Sequence, residues 1–273
     1  MPIKFRLDLK LNLKKPLEEL PQANPFLRKW TIYPDQVHGF FLNLFPPKER
    51  ELLHSPSPVK PFALWCKEIF LNSEHPLTEL WLYVSFLKDE LFSSFLYHFL
   101  NLEQLPPLGV YEVRVNFPEK GIVKKDEYFQ LMLPEITSEQ KYLRFDFLTP
   151  VSFRVGNFDY PLPEPRLIFK SLHKKWNFFF PQKFSWEEVS KAVSQCYIAY
   201  HSVFAQKVYL SMGGGVIGFR GRLLLGRGKA TDREWNLLLN LAKFGEFAGV
   251  GRKTTMGFGQ IKVTFLRGID QHE

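Results

Sequence analysis

The 273-residue chain holds 36 Lys and Arg against 28 Asp and Glu, is 45% hydrophobic and contains 28 phenylalanines. That is enough apolar material for one large core or two modest ones. Its two cysteines, Cys66 and Cys196, form no CxxC pair and exclude a disulfide framework, which fits a reducing cytoplasm. Uncharged runs such as "LFSSFLYHFLNL" are too short to span a bilayer. "MPIKFRLDLK" is charged from Lys4 onward and lacks a signal-peptide core. A soluble cytoplasmic protein with no membrane partner is expected. The charge is unevenly spread: residues 1–150 hold 18 Lys and Arg against 19 Asp and Glu, residues 151–273 hold 18 against 9. Such asymmetry points to a polyanion bound through the C-terminal half.

Ile3, Phe5, Leu7, Leu9, Leu11 and Leu13 alternate with polar residues and predict a strand. In "YPDQVHGFFLNLF", Pro34 suits a first helical turn, and Val37, Phe40, Phe41, Leu44 and Phe45 share one helical face. "PPKER" reads as the stop of that helix. "PFALWCKEIF" and "LWLYVSFL" read as strands, and "KDELFSSFLYHFLNLEQ" as a second helix. "VYEVRVNF" alternates again, with Tyr111, Val113, Val115 and Phe117 on one face. The order β-α-β-β-α-β is that of a ferredoxin-like domain.

The charged segment "PEKGIVKKDE" reads as a boundary, giving domains 1–122 and 123–273. The second half repeats the order. "YLRFDFLTPVSFRV" is extended. "EPRLIFKSLHKKWNFF" and "SWEEVSKAVSQCYIAY" are helical, the latter with an end that can run into a strand. "FAQKVYLS" and "VIGFRGRLLLG" pair across "MGGG". "TDREWNLLLNLAKFGEFA" is a helix capped at Thr231 or Asp232, and "GFGQIKVTFL" is the last strand. The expected class is α+β: two tandem ferredoxin-like (RRM-like) βαββαβ domains.

The loop "GVGRKTTMGFGQIKV" places Gly249, Gly251, Gly257 and Gly259 around Arg252, Lys253, Thr254 and Thr255. It is not a Walker loop, because Arg252 separates Gly251 from Lys253 and the loop runs from helix to strand. Element order rules out the Rossmann fingerprint as well. An RRM motif matches only at Gly257-Phe258-Gly259; Gln260 and Val263 stand where stacking aromatics belong. Two readings stay open: a loop whose backbone N–H groups and cations meet phosphate, or a tight turn whose glycines permit unusual dihedrals.

"GFRGRLLL", a long helix and then "FAGVGRKTTMGFGQIKV" resemble the C-terminal glycine-rich signature of the CRISPR repeat-processing endoribonucleases, the sixth Cas family. "FLTPVSFRVGNFDYPLPEPRLIFKSLHKKWN" is similar to that family's strand, Pro-rich turn and helix. "YPDQVHGFFLNLF" resembles its first helix, which often carries a catalytic histidine. The resemblance implies two ferredoxin-like domains and a metal-independent endoribonuclease without cofactor. It would cut precursor CRISPR RNA repeats by 2′-OH attack, leaving a 2′,3′-cyclic phosphate or 3′-phosphate and a 5′-OH. The partner is the precursor CRISPR RNA repeat, with an effector complex and a homodimer left open.

Histidine suits both proton transfers. His38, beside Gly39 in the first turns of its helix, is the candidate catalytic residue. Among the others, His54 and His272 read as solvated, His98 as core and His75 as loop, with His173 and His201 as RNA contacts. Tyr33 and either Lys48 or Arg50 are the nearest counterparts of a tyrosine and lysine that some family members add. Arg252 or Lys253 could supply the cation instead. Arg154, Arg166, Lys170, Lys174, Lys175, Arg220 and Arg222 join the glycine loop as the expected RNA-binding surface. Two rivals are a non-catalytic CRISPR RNA-binding subunit and an enzyme whose loop holds a mononucleotide.

Overall fold

The computed structural model describes residues 2–22, 25, 27–71, 73–115, 124–128 and 139–268. Phe117, His272 and the expected 122/123 boundary lie outside them. Among the described residues no helix is long and apolar enough to cross a membrane. The chain forms two units. The first comprises Met1–Tyr128, Val208–Gly215 and Thr255–Gly257; the second comprises Phe129–Lys207, Val216–Thr254 and Phe258–Glu273.

The first unit runs β1 (Ile3–Leu13), α1 (Pro34–Leu42), α2 (Pro47–His54), β2 (Phe62–Trp65), β3 (Glu79–Phe86), α3 (Asp89–Leu100), β4 (Tyr111–Val115) and β5 (Lys124–Tyr128). The sheet order β2-β3-β1-β4, all antiparallel in the registered pairs, is the ferredoxin-like order of second, third, first and fourth strand. β1 is long enough to carry two neighbours on one edge: β4 along Leu9–Leu13 and β5 along Ile3–Arg6. A stretch that reads in sequence as a charged boundary therefore contributes a fifth strand.

The alternation in β1 works as expected, with Phe5, Leu7, Leu9 and Leu11 buried. Above them Phe5, Phe41, Phe45, Phe86 and Phe95 form a ring cluster. The centroids of Phe41 and Phe95 lie 5.8 Å apart, those of Phe5 and Phe95 5.4 Å, and those of Phe45 and Phe95 5.4 Å. Tilted and stacked contacts at such spacings add to the burial of each ring, so much of the phenylalanine content is core. "PPKER" does more than stop α1: Pro47 occupies the first turn of α2, where its missing N–H costs nothing. At the start of α1, the Asp35 carboxylate accepts the Ser211 N–H at 3.0 Å and the Ser211 hydroxyl, which fastens the Val208–Gly215 segment to that helix.

The second unit runs β6 (Tyr142–Val151), β7 (Phe153–Val155), β8 (Phe158–Tyr160), α4 (Pro165–Phe179), α5 (Trp186–Ser194), β9 (Tyr197–Tyr209), β10 (Gly215–Gly226), α6 (Asp232–Ala248) and β11 (Ile261–Leu266). Its sheet order β11-β6-β10-β9 is again fourth, first, third, second. Leu143, Phe145 and Phe147 of β6 face the core with Leu223 and Leu225 of β10 and Trp235, Leu238 and Phe244 of α6. The caps follow the sequence: Ser185 and Thr231 each accept the N–H three residues on, from Glu188 and Glu234, and those glutamates accept the cap N–H in return. The small β7–β8 hairpin is an addition to the expected order. Both units are ferredoxin-like, as their strand orders show.

Candidate active site and nucleic-acid interface

In the first unit His38 sits in the second turn of α1, half-buried. Its Nδ1 lies 3.0 Å from the Thr255 carbonyl oxygen. A carbonyl can only accept, so Nδ1 must carry the hydrogen, and in the neutral ring the lone pair falls on Nε2. The ring stacks on buried Phe62, with centroids 6.0 Å apart and planes 11° from parallel. Carbonyl and phenyl ring together fix both the tautomer and the plane of the imidazole. A side chain added at Gly39 would meet nothing within 4 Å, so the helix surface at that glycine is open.

His54, which reads as merely solvated in the sequence, ends α2 with its ring centroid 6.4 Å from that of His38. It is exposed, and the turn that carries it is pinned by Lys60. The Lys60 ammonium donates to the Leu53 carbonyl at 2.8 Å and to the Ser55 carbonyl. Burial pulls the Lys60 pKa down. Only the fold of α2 back along α1 brings the two histidines together; no spacing rule exposes such a pair.

The other expected catalytic groups are less well placed. Tyr33 caps α1 with a ring only 5% exposed, and its phenol pKa is raised by burial and by Asp35. Lys48 is exposed on α2, and Arg50 donates to the Asn43 side chain at 2.7 Å. His173 donates from Nε2 to the Phe184 carbonyl at 2.8 Å, a structural bond inside the second unit. His75 and His201 are exposed and His98 is half-buried.

The glycine loop is more tightly built than a phosphate cradle requires. The N–H groups of Gly249, Val250, Arg252 and Gly259 donate to the carbonyls of Gly245, Gly259, Ser152 and Pro150, at 2.9, 2.7, 2.9 and 2.9 Å. The Gly251 N–H donates to the Ser171 hydroxyl at 2.9 Å. These donors, expected to face phosphate, are spent on holding the loop. Glycine is required here for packing: a Cβ at Gly251 would lie 2.4 Å from the Ser152 carbonyl oxygen, and one at Gly259 2.0 Å from that of Val250. Both residues have positive φ, 77° in each case, which L side chains rarely adopt. Gly249 and Gly257 also have positive φ, and Thr254 and Thr255 are buried at 9% exposure. Lys253 is the one described non-glycine residue with positive φ, 57°. The packed loop thus holds two adjacent cations on a stiff backbone.

The cations of the second unit fall into two groups. Arg252 donates to Asp159 at 2.5 Å, and Arg154 lies 3.5 Å from the same carboxylate, so this cluster carries one net positive charge. Arg222 and Arg144 share Asp146 at 3.0 and 3.1 Å. Arg220 is half-buried, and burial lowers its pKa. By contrast Arg166, Lys170 and Lys174 are all exposed, four residues apart along α4, and form one basic ridge.

Lys175 does not belong to that ridge. Its ammonium turns onto the C-terminal end of α6, donating to the Ala248 carbonyl at 3.0 Å and the Gly249 carbonyl at 2.9 Å, with Thr254 Oγ1 at 3.4 Å. Burial pulls its pKa down to about 7, with the Lys174 charge adding to the shift. Among the described residues no group of three or more His, Cys, Asp or Glu side chains is placed to hold a metal ion.

Residues 145–261 match the family model described as CRISPR-associated endoribonuclease Cas6. A CRISPR-associated endoribonuclease Cas6 from Streptococcus thermophilus is 27% identical over 235 residues, covering 84% of this chain and 90% of the relative. Among solved structures, one Cas6 product complex superposes with a TM-score of 0.69 at 24% identity, covering 96% of this chain and 99% of that one. A second Cas6 product complex gives a TM-score of 0.68 at 28% identity, covering 97% and 99%.

Proposed function

We propose that this chain, which is similar to the CRISPR-associated endoribonuclease Cas6 proteins, binds the repeats of precursor CRISPR RNA and cuts them without a metal ion. The single observation that carries the chemistry is the bond from His38 Nδ1 to the Thr255 carbonyl. It puts the hydrogen on Nδ1 and so makes Nε2 the basic nitrogen of the neutral ring. Nε2 takes the proton of a ribose 2′-OH. The 2′-oxygen attacks the adjacent phosphorus, and the bond from phosphorus to the 5′-oxygen breaks. His54, in its imidazolium form, protonates that leaving oxygen, its ring centroid 6.4 Å from that of the base. The products are a 2′,3′-cyclic phosphate and a 5′-OH.

In this reading RNA affinity comes from the second unit. The Arg166, Lys170 and Lys174 ridge contacts phosphates, and Lys253 and the Arg252–Arg154–Asp159 cluster add to it. The Lys170→Ala, Lys174→Ala double variant alters two exposed side chains and should fold normally. It is expected to weaken binding and to flatten the plot of log affinity against log salt by roughly 0.7–0.9 for each phosphate no longer neutralised. An unchanged slope would remove α4 from the interface.

The experiment that tests the proposal is incubation with labelled repeat RNA in excess EDTA, followed by analysis of the product ends. Unimpaired cleavage with cyclic-phosphate and 5′-OH ends is expected. Loss of cleavage in EDTA, or 5′-phosphate products, would overturn the metal-free mechanism. Binding with no cleavage under any condition would make the protein a non-catalytic RNA-binding subunit.

A further inference from the structure

One end of the second unit's sheet carries a concave site that the cleavage chemistry does not use. It is a cavity of about 390 Å³ lined by Lys141, Tyr142, Tyr197, Arg227, Gly228 and Lys229. Tyr142 and Gly226 are cross-strand partners on β6 and β10. They lie on the face opposite the one that buries Leu143 and Leu225. A Cβ built on Gly226 would fall 2.4 Å from Cζ and 2.5 Å from Cε1 of Tyr197. Glycine is thus what lets the Tyr197 ring lie down on the strand. The ring is sealed on one side by the Gly226 backbone yet is 50% exposed overall, so its other side faces solvent. The Tyr142 side chain lines the same cavity beside it.

The rim of the cavity is equally fixed. The Arg227 N–H donates to the Lys141 carbonyl at 2.9 Å, and the Lys229 N–H to the Gln195 carbonyl at 3.0 Å. Gly228 turns between them with a left-handed φ of 59°, and a Cβ there would strike the Gln195 oxygen at 2.2 Å. Arg227 is committed to Asp232 at 2.7 Å and to the Ala230 carbonyl at 2.8 Å. Lys141 and Lys229, both exposed, make no ion pair among the described residues. A rigid aromatic face beside two uncommitted ammonium groups is the combination that takes a stacked base and its flanking phosphates. An apolar protein segment would have no use for the lysines, and an acidic one none for the open ring.

We propose that the Tyr197–Tyr142 platform with Lys141 and Lys229 is a subsite for one nucleotide of single-stranded RNA, separate from the histidine pair and able to hold RNA that is not being cut. The proposal deepens the reading of the protein as a CRISPR RNA nuclease and rests on it for the choice of RNA as ligand. The test uses the full chain and a short fluorescein-labelled single-stranded RNA of mixed sequence, followed by anisotropy, alongside single-turnover cleavage of saturating repeat RNA. Tyr197→Ala is expected to weaken binding of the single strand by about 5–100-fold, the range of one base stack. Tyr197→Phe should bind like wild type, because the ring that stacks is kept. Lys141→Ala with Lys229→Ala should flatten the salt slope by roughly 0.7 for each phosphate no longer neutralised, and no variant should change the rate at saturation. Wild-type affinity and salt slope in Tyr197→Ala and in the double lysine variant would overturn the subsite even if repeat RNA is cut normally. If the wild-type protein cuts no RNA but its single-strand binding still depends on Tyr197, the subsite stands and the nuclease reading fails. Unchanged RNA binding together with loss of an acidic peptide's binding would assign the patch to a protein partner and overturn the proposal.

Discussion

His38→Ala is expected to lower single-turnover cleavage of repeat RNA by about 10²–10⁴-fold, the usual worth of a positioned acid or base, with RNA affinity nearly unchanged. Affinity should hold because the imidazole is one partly buried ring, and the exposed cations of the second unit are far more numerous. The rate should fall because the missing group is the one whose tautomer is fixed by the Thr255 carbonyl and whose plane is fixed by Phe62. His54→Ala should cost less, since an exposed leaving-group acid can be replaced in part by water. If the two rings serve one displacement, the double variant should be only slightly slower than His38→Ala alone, as is usual for groups that act as a unit. Gel quantification of cleavage by the three variants decides the matter. Near-normal cleavage by His38→Ala would remove that ring from the chemistry. Losses that multiply fully would mean that His54 acts in a separate step.

The contrast between these two histidines shows what the sequence can carry. His38 is legible because its surroundings are local: a proline-started helix, a glycine beside it, an apolar face behind it. His54 is not, because its relevance depends on α2, a helix that begins at the prolines which read as a stop. The order of elements is legible for a reason like that of His38. Alternation in β1 and β6 and the caps at Ser185 and Thr231 are short-range signals that agree with the tertiary result. β5 escapes because its residues, Lys124–Tyr128, carry no apolar alternation, and their pairing depends on the spare length of β1. At the glycine loop the residue types are plain but their use is not. Donors that face phosphate and donors that bond a neighbouring carbonyl look alike in a sequence, and only coordinates separate them.

Lys175 gives the sharpest version of that ambiguity, since in the sequence it is one more cation beside Lys174. Lys175→Met is expected to destabilise the protein by about 2–5 kcal/mol, because it strips the Ala248 and Gly249 carbonyls of a buried donor while keeping a side chain of similar length. The charge state sets the sign of a pH dependence. Lys175 has a pKa of about 7 in the folded protein and an ordinary 10.5 in the unfolded chain. Between those values the unfolded chain holds a proton that the folded one has released, so this residue's contribution to stability grows as pH rises. The neutral amine suits the site, because it still has two hydrogens for the two carbonyls. Methionine does not titrate, so the stability gap between wild type and Lys175→Met should widen by about 2 kcal/mol from about pH 7.5 to pH 9. Urea denaturation at each pH measures it, and the salt slope of RNA binding by the variant should match that of the wild type. A gap that stays constant or narrows with pH would mean the ammonium keeps its proton at the end of α6. A flattened salt slope would return Lys175 to the RNA-binding surface that its neighbour occupies.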